Sequence, residues 1–527
     1  MLRRSLIAAT GAAALLARPA PAQPASARVL RYVPQTDLTV LDPVFTTAYI
    51  TRHHSMMIYD QLYGMDGDLR PQPQMVEGHE EEDGGLTWRF RLREGLAFHD
   101  GEKVRGRDCI ASIKRWAQRD ALGQTMMARV AEMTAPDDRT FVIRLTRRFG
   151  PMLETLAKLG PSALFVMPER IAATDANTQI REAIGSGPFR FVPGERVVGA
   201  RVVYERNPAY RPREGGMPSW AAGPKRVHFD RVEWTVMPDP GTAAAALRSG
   251  EVDWWENPPN DLAPVLRRSR DIVVKRASPL GTIGTGIFNC LHPPFDKPGV
   301  RRALLRAMSQ QDFMTAAAGV EPASWRSGVG VFTPGTPLAN EAGLEAVTAP
   351  RDLERSRREL REAGYNGEPI VMLAPSDQQV LMALAEVGAD LFKKLGMAVD
   401  YRVSDWGTLV QRRASKEPPD KGGWNFFHTT WNGLDGLNPG IMQFLRANGE
   451  RAWFGWPDVP RLVALRDAWF EAPDLAAAQA IARDIQAAVF EEAPYLPSGQ
   501  YFGNTAHRRT ISDPISEIYA FWEVRRV

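Results

Sequence analysis

The sequence predicts an α/β protein with at least two domains. At 527 residues the chain exceeds what one hydrophobic core usually supports. Residues 227–259, VHFDRVEWTVMPDPGTAAAALRSGEVDWWENPP, alternate bulky and polar positions as a strand does and then turn at Met237-Pro238-Asp239-Pro240-Gly241. A short helix follows that Thr242 can cap and Gly250 ends, and Val252-Asp253-Trp254-Trp255 returns as a strand. Strand, helix and strand in so short a stretch form the smallest unit of a parallel or mixed sheet. Residues 352–404 repeat the pattern. There a helix over 352–363, capped by Asp352 and stopped by Gly364, precedes the buried strand PIVMLA. A helix over 376–395 comes next, with a core stripe of Val380, Leu384, Val387, Leu391 and Leu395, then the strand MAVDYRVS.

The remaining elements follow in order. RVLRYVPQTDLTVLD over 28–42 reads as a first strand, and Thr46-Thr47-Ala48-Tyr49 leads into a helical stretch through Ile58 and Leu62. Residues 80–115 give an alternating strand, a His99-Asp100-Gly101 turn and a helix with Ile110, Ile113 and Ala117 on one face. PDDRTFVIRLT at 136–146 forms a hairpin strand, followed by a helix from Pro151 to about Leu159. Strand character over 271–291 is broken by glycines that let the backbone bend or approach a ligand. A helix with Pro298 in its first turn runs to Gly319, and a long helix over 474–492 starts at Asp474. ISEIYAFWEV reads as a last element.

Composition is that of an ordinary globular protein, with 44% hydrophobic and 24% charged residues. Residues 1–22 combine Arg3 and Arg4, an apolar run from Leu6 to Ala17 and an Ala20-Pro21-Ala22 site. That pattern is a secretory signal peptide, cleaved before Gln23. Its removal takes away three arginines and no acid, so the formal net charge of +3 falls to 0 and nothing asks for nucleic acid. No later run is apolar enough to span a bilayer, which predicts a soluble exported protein. Cys109 in CIASIKRW and Cys290 in GIFNCL lie far apart and read as two buried free thiols.

Motifs for chemistry are missing: there is no G-x-S-x-G, H-E-x-x-H, G-x-x-x-x-G-K-S/T or C-x-x-C. The eight histidines are scattered, and His99-Asp100 reads as a turn. The chain does carry an excess of aromatics beside turns, among them Trp254, Trp255, Trp431 and Tyr501. Their polar neighbours Glu256, Asn257, Asn432, Asp435 and Asn438 could orient a ligand in an aromatic-lined pocket.

Several separated motifs carry a family resemblance. Gly85 to Ile110 follows a D-G-L-T-y-t-F-x-L-R-x-G-v-x-F-H-D-G pattern and its continuation. Ile184 to Phe191 gives a G-T-G-P-F/Y-x-F motif with Ser186 in second place, and Glu205 to Tyr210 gives x-R-N-P-x-Y. Asn289 to Asp312 gives N-x-x-x-P-P-F-D and its helix, with Ser309 in place of an acid. RRELREAGY, LFKKLGMAVDYR and the 227–259 unit complete the set. The chain resembles the family 5 extracellular solute-binding proteins, the dipeptide- and oligopeptide-binding components of ABC importers, over essentially its whole mature length.

The resemblance implies the two-lobed periplasmic-binding-protein fold, type II, in the large cluster C form. Lobe I would span 23–275, with an extra subdomain at about 50–180, and lobe II would span 276–494. Residues 495–527 would return to lobe I, with crossings near 275–285 and 490–500. It implies a small solute, peptide or peptide-like, held between hinged lobes and passed to permease subunits in the inner membrane. A monomer with no cofactor, metal or catalytic residue is expected. Other solutes (oligosaccharide, opine, glutathione, metal chelate), a chaperone or sensor role, and a secreted hydrolase are the alternatives. In peptide-binding members an Asp in W-x-x-D-x-x-x-P pairs with the peptide's amino group. In WNGLDGLNP, Asp435 keeps the spacing to Pro439 but lies one residue further from Trp431. A loop Asp also forms turns, and both roles stay open. Arg412 or Arg413 could hold a carboxylate or face solvent. The candidate ligand-binding set is Tyr49, Trp254, Trp255, Asn257, Asn289, Trp431, Asn432, Asp435 and Tyr501.

Overall fold

The computed structural model describes residues 28–160 and 162–527, so the leader expected at 1–22 lies outside the described residues. Two sheets carry the architecture. The first has seven strands in the order Ile272–Arg276, Asn504–Arg508, Trp254–Trp255, Val29–Val33, Arg231–Thr235, Arg201–Arg206, Phe189–Phe191. Val29–Val33 runs parallel to both Arg231–Thr235 and Trp254–Trp255, so the first strand of the chain enters between the two strands of the 227–259 unit. Register places Tyr32 opposite Trp234 on one side and Trp254 on the other. The three rings form a cross-strand row that Phe521 covers, with its centroid 5.0 Å from that of Tyr32.

The helix of this unit, Pro240–Ser249, is capped by Asp239 rather than Thr242. The Asp239 carboxylate accepts the Thr242 N–H at 2.7 Å, and Pro240, which has no N–H to satisfy, takes the first helical position.

The second sheet has six strands in the order Trp325–Arg326, Tyr495–Tyr501, Thr282–Phe288, Phe426–Asn432, Ile370–Pro375, Val399–Ser404. Among the described strands the chain crosses between these two sheets twice, at 277–281 and at 502–503. The second crossing therefore comes later than 490–500, and the return to the first lobe starts at about 502 instead of 495. Proline is rare inside a central strand, yet Tyr495–Tyr501, which holds Pro497, is paired on both sides. A bulge skips Ser498 where Gly284 and Thr285 face Gly499 and Pro497, which absorbs the proline's missing donor.

Inserted in the first lobe is a four-stranded antiparallel sheet of Val76–Glu82, Thr87–Leu92, Thr140–Leu145 and Val130–Thr134, packed by the helix Gly106–Ala117. Gly185 and Gly187 pack on the end of the helix Tyr49–Ile58; a Cβ on Gly185 would stand 2.0 Å from the Ile58 carbonyl oxygen. The expected helix from Pro298 to Gly319 is broken into Pro298–Ala307 and Gln310–Ala318, because Ser309 is an N-cap that accepts the Asp312 N–H. The terminal ISEIYAFWEV forms no helix or strand but buries Ile518, Phe521 and Trp522. Cys109 and Cys290 are free, and Cys290 is partly exposed just beyond the end of its strand.

One buried ion pair ties the subdomain to the first sheet. Arg115 donates to both oxygens of Asp42, at 3.0 and 2.7 Å, and Asp42 also accepts the backbone N–H groups of Val44 and Ile180. Removing one partner strands a buried charge. Asp42→Ala is expected to lower stability in urea unfolding by about 3–5 kcal/mol, and a Asp42→Ala/Arg115→Met double variant to lose less than the sum of the two single losses.

Candidate functional site

Beside the two crossings lies a cavity of about 280 Å³ walled by both lobes. The first lobe contributes one face of the helix Tyr49–Ile58: Tyr49, Arg52 and His53 stand at i, i+3 and i+4 and all line the space. It adds Glu256 and Asn257 after the strand Trp254–Trp255, and Glu517 and Tyr519 from the terminal segment. The second lobe contributes Thr430, Trp431 and Asn432 from one strand and Tyr501 from the next. Trp431 is fixed by an indole N–H donated to the Thr285 hydroxyl at 2.9 Å and by ring contacts with Phe444 and Trp453.

Asp435 stands at the edge of this space. Its Oδ2 accepts the Tyr49 hydroxyl at 3.0 Å, a bond between the lobes, and the Asn432 backbone N–H at 3.1 Å. The second contact closes a reciprocal cap in which Asn432 accepts from Leu434, so Asp435 is a turn former as well as a cleft residue. Its Oδ1 accepts no hydrogen bond from the described residues and faces Gly160, where a Cβ would stand 3.0 Å away. Beyond it a second cavity of about 430 Å³ opens between the subdomain and the second lobe, with Met65, Leu69, Leu159, Leu338, Leu434 and Trp469 among its walls. The lobes also touch further out: the Gly150 N–H donates to the Phe470 carbonyl at 2.8 Å, and Phe149 stacks on Phe470.

Burial dominates the electrostatics of the first cavity. It pushes Glu256 up to about 7, against the pull of the Gln35 N–H at 2.7 Å and the nearby Arg52 charge. It likewise raises Glu517 and Asp435 above the ordinary carboxylate range. His53 is held well below its usual value by burial and then by Arg52, so it is neutral, and its 3.5 Å approach to Glu256 is not an ion pair. Arg52 lines this cavity among the acids, and Lys158, paired with Asp120, also acts on Asp435.

The structure thus brings Tyr49, Asn257, Trp431, Asn432 and Tyr501 to one cavity and Asp435 to its rim. It places the other three elsewhere. Trp254 is fully buried, its indole donating to Thr505, and Trp255 lies in the core under the helix Pro240–Ser249. Both belong to a central strand, which turns them into the sheet's two packed faces instead of the crevice. Asn289 is also fully buried and holds a turn, donating to the Trp424 carbonyl and accepting the Leu291 N–H. Neither Arg412 nor Arg413 lines the cavities. Arg412 donates to the carbonyls of Gly422 and Gly423, and Arg413 lies over the rings of Trp406, Trp453 and Phe454. Arg52, His53, Glu517 and Tyr519 were missed. The i, i+3, i+4 spacing from Tyr49 was the available signal for the first two; Glu517 and Tyr519 meet the cleft through a segment without regular structure.

The model of the bacterial extracellular solute-binding proteins, family 5, matches residues 70–452. The chain belongs to this family. Among curated proteins, a probable peptide ABC transporter periplasmic-binding protein of Sinorhizobium fredii is 36% identical over 93% of this chain and 92% of its own. A glutathione-binding protein of Pectobacterium atrosepticum is 26% identical over 94% and 92%. Of solved structures, AgaA from A. tumefaciens R10 with agropinic acid superposes with TM-score 0.77 at 20% identity, over 95% of this chain and 99% of its own. DppA from Helicobacter pylori with the peptide STSA superposes with TM-score 0.77 at 20% identity, over 94% and 98%. This family 5 protein therefore has the two-lobed periplasmic-binding-protein fold and serves as a solute-binding component of ABC import, not as an enzyme.

The raised Glu256 gives a signed prediction. A carboxyl whose folded value exceeds its unfolded one stabilises the fold at low pH, and that contribution is lost as pH rises from about 4.5 through about 7. Buried neutral His53, His54 and His428 act in the opposite sense, so the informative quantity is a difference. Glu256→Gln is expected to gain stability relative to the ligand-free parent by a few kcal/mol between about pH 5 and pH 8, read from thermal midpoints. A constant gap across that range would contradict the assignment.

Proposed function

We propose that this family 5 protein captures a peptide or peptide-like solute with a free amino group between its lobes and passes it to ABC permease subunits in the membrane. It works as a monomer, exported by a leader at residues 1–22. The observation that carries this reading is the Asp435 carboxylate. One oxygen is committed to Tyr49 and Asn432, the other faces Gly160 and accepts no hydrogen bond from the described residues, and burial raises the carboxyl above its ordinary range despite the nearby Lys158 and Arg52 charges. An α-ammonium supplies both a donor and the charge, as a charge-assisted bond in a closed, dehydrated cleft. The apolar cavity beyond Gly160 would then take an adjoining side chain, and the first cavity the rest of the solute.

Charge separates this reading from its rivals. Glu256, Glu517 and Asp435 face the cleft against Arg52, which disfavours polyanions such as acidic opines and carboxylate-rich metal chelates. The peptide-related names of the Sinorhizobium and Helicobacter proteins support the same direction. Capture works by hinge bending at 277–281 and 502–503: the buried solute adds contacts only in the closed form and shifts the population toward it.

Di- to hexapeptides are expected to raise the thermal midpoint of the ligand-stripped protein with concentration, since they bind the native state alone. N-acetylated versions lose that effect, and Asp435→Asn weakens binding by about 10- to 100-fold, the worth of a charge-assisted hydrogen bond. Equal binding of acetylated and free peptides would refute the ammonium anchor. A sugar or opine that shifts the midpoint where peptides fail would replace the solute class.

A further inference from the structure

The cavity beside the crossings holds a feature that the ammonium anchor does not use. Three buried side-chain atoms of residues that line it have no hydrogen-bond partner among the described residues: Glu517 Oε1, His53 Nδ1 and Arg52 Nε. Their residues are 2%, 1% and 4% exposed. The other oxygen of Glu517 is held by the Ser278 hydroxyl at the first crossing, which fixes the carboxylate beside the cavity. A buried carboxylate oxygen without a donor is unfavourable, and a cationic group of the solute would satisfy it.

The sign of that partner follows from the groups around it. Arg52 is partly engaged within the protein: its two terminal nitrogens meet the carbonyls of Leu159 and Glu517 and the ring of His53, while Nε has no partner among the described residues. His53 is neutral, so the two carboxylates Glu256 and Glu517 outweigh the one guanidinium. Trp431, Tyr501 and Tyr519 supply aromatic wall, which also favours a cation.

We propose that this cavity is a subsite for a second cationic group of the solute, a guanidinium or side-chain ammonium, bound by Glu517 with Glu256 behind it. The subsite selects basic solutes over isosteric neutral ones. The inference rests on the reading that the cleft binds an amino-bearing solute, with Asp435 holding one positive group and Glu517 the other. Binding of a cation also drives the raised carboxyls to ionise, so it releases protons.

The test is calorimetry with matched tripeptides carrying Arg, Lys, norleucine or Glu at each position in turn on an alanine background. At one position Arg or Lys is expected to bind at least about tenfold more tightly than norleucine, the scale of a hydrogen bond to a charged group. Glu517→Gln collapses that ratio toward one. Titrations in two buffers of different ionisation enthalpy should show proton release for the basic peptide that exceeds that for the norleucine peptide, a readout needing no variant. Equal affinity for basic and norleucine peptides at every position, or a preference unchanged in Glu517→Gln, overturns the subsite and leaves the peptide reading standing. If no peptide binds but agmatine does, in a Glu517-dependent way, the subsite stands and the peptide reading falls. If neither peptides nor agmatine bind, both fail.

Discussion

Taking carboxylates out of water is among the most unfavourable things a fold can do, and this one does it three times at the seam between its lobes. Glu256, Glu517 and Asp435 come from three distant parts of the chain and meet around Arg52. Each is pushed toward its neutral form by burial. A cationic solute, as proposed, would relieve that unfavourable term, so that closure around it would be favoured over closure without solute.

The architecture makes such an arrangement possible. Two sheets are joined by two short crossings, and the cavity sits beside them. Ser278 in one crossing positions Glu517, so under the proposed hinge motion the segment that bends would also aim a ligand group. The Tyr49 to Asp435 bond links the lobes a few residues away, between this cavity and a second one of largely apolar lining. Closure, charge and shape selection are thereby coupled through side chains that lie within or beside the hinge.

Much of the fold was legible in the chain. Asp352, Asp474 and Pro298 marked helix starts that the structure keeps, and the 227–259 unit has the strand, helix and strand that its alternation and turn residues announce. The errors share a physical cause, which is that local signals do not report pairing. Pro497 looks like a stop but lies in a central strand, because a bulge accommodates it. Trp254 and Trp255 look like crevice aromatics but are core, because the strand they form is flanked on both sides. The site was legible where one strand end or helix face supplies it, as with Trp431, Asn432 and Tyr49. It was hidden where the residue arrives from an irregular segment, as with Glu517 and Tyr519.

The central claim is that solute and lobe closure are one equilibrium. Small-angle scattering from the ligand-stripped protein, with and without a saturating peptide identified by thermal shift, tests it most directly. The account predicts a more extended stripped form and a smaller radius of gyration once peptide is bound, with Tyr49→Phe needing more peptide to reach the same compaction. An unchanged radius of gyration at saturation, with binding verified in the same sample, would contradict it.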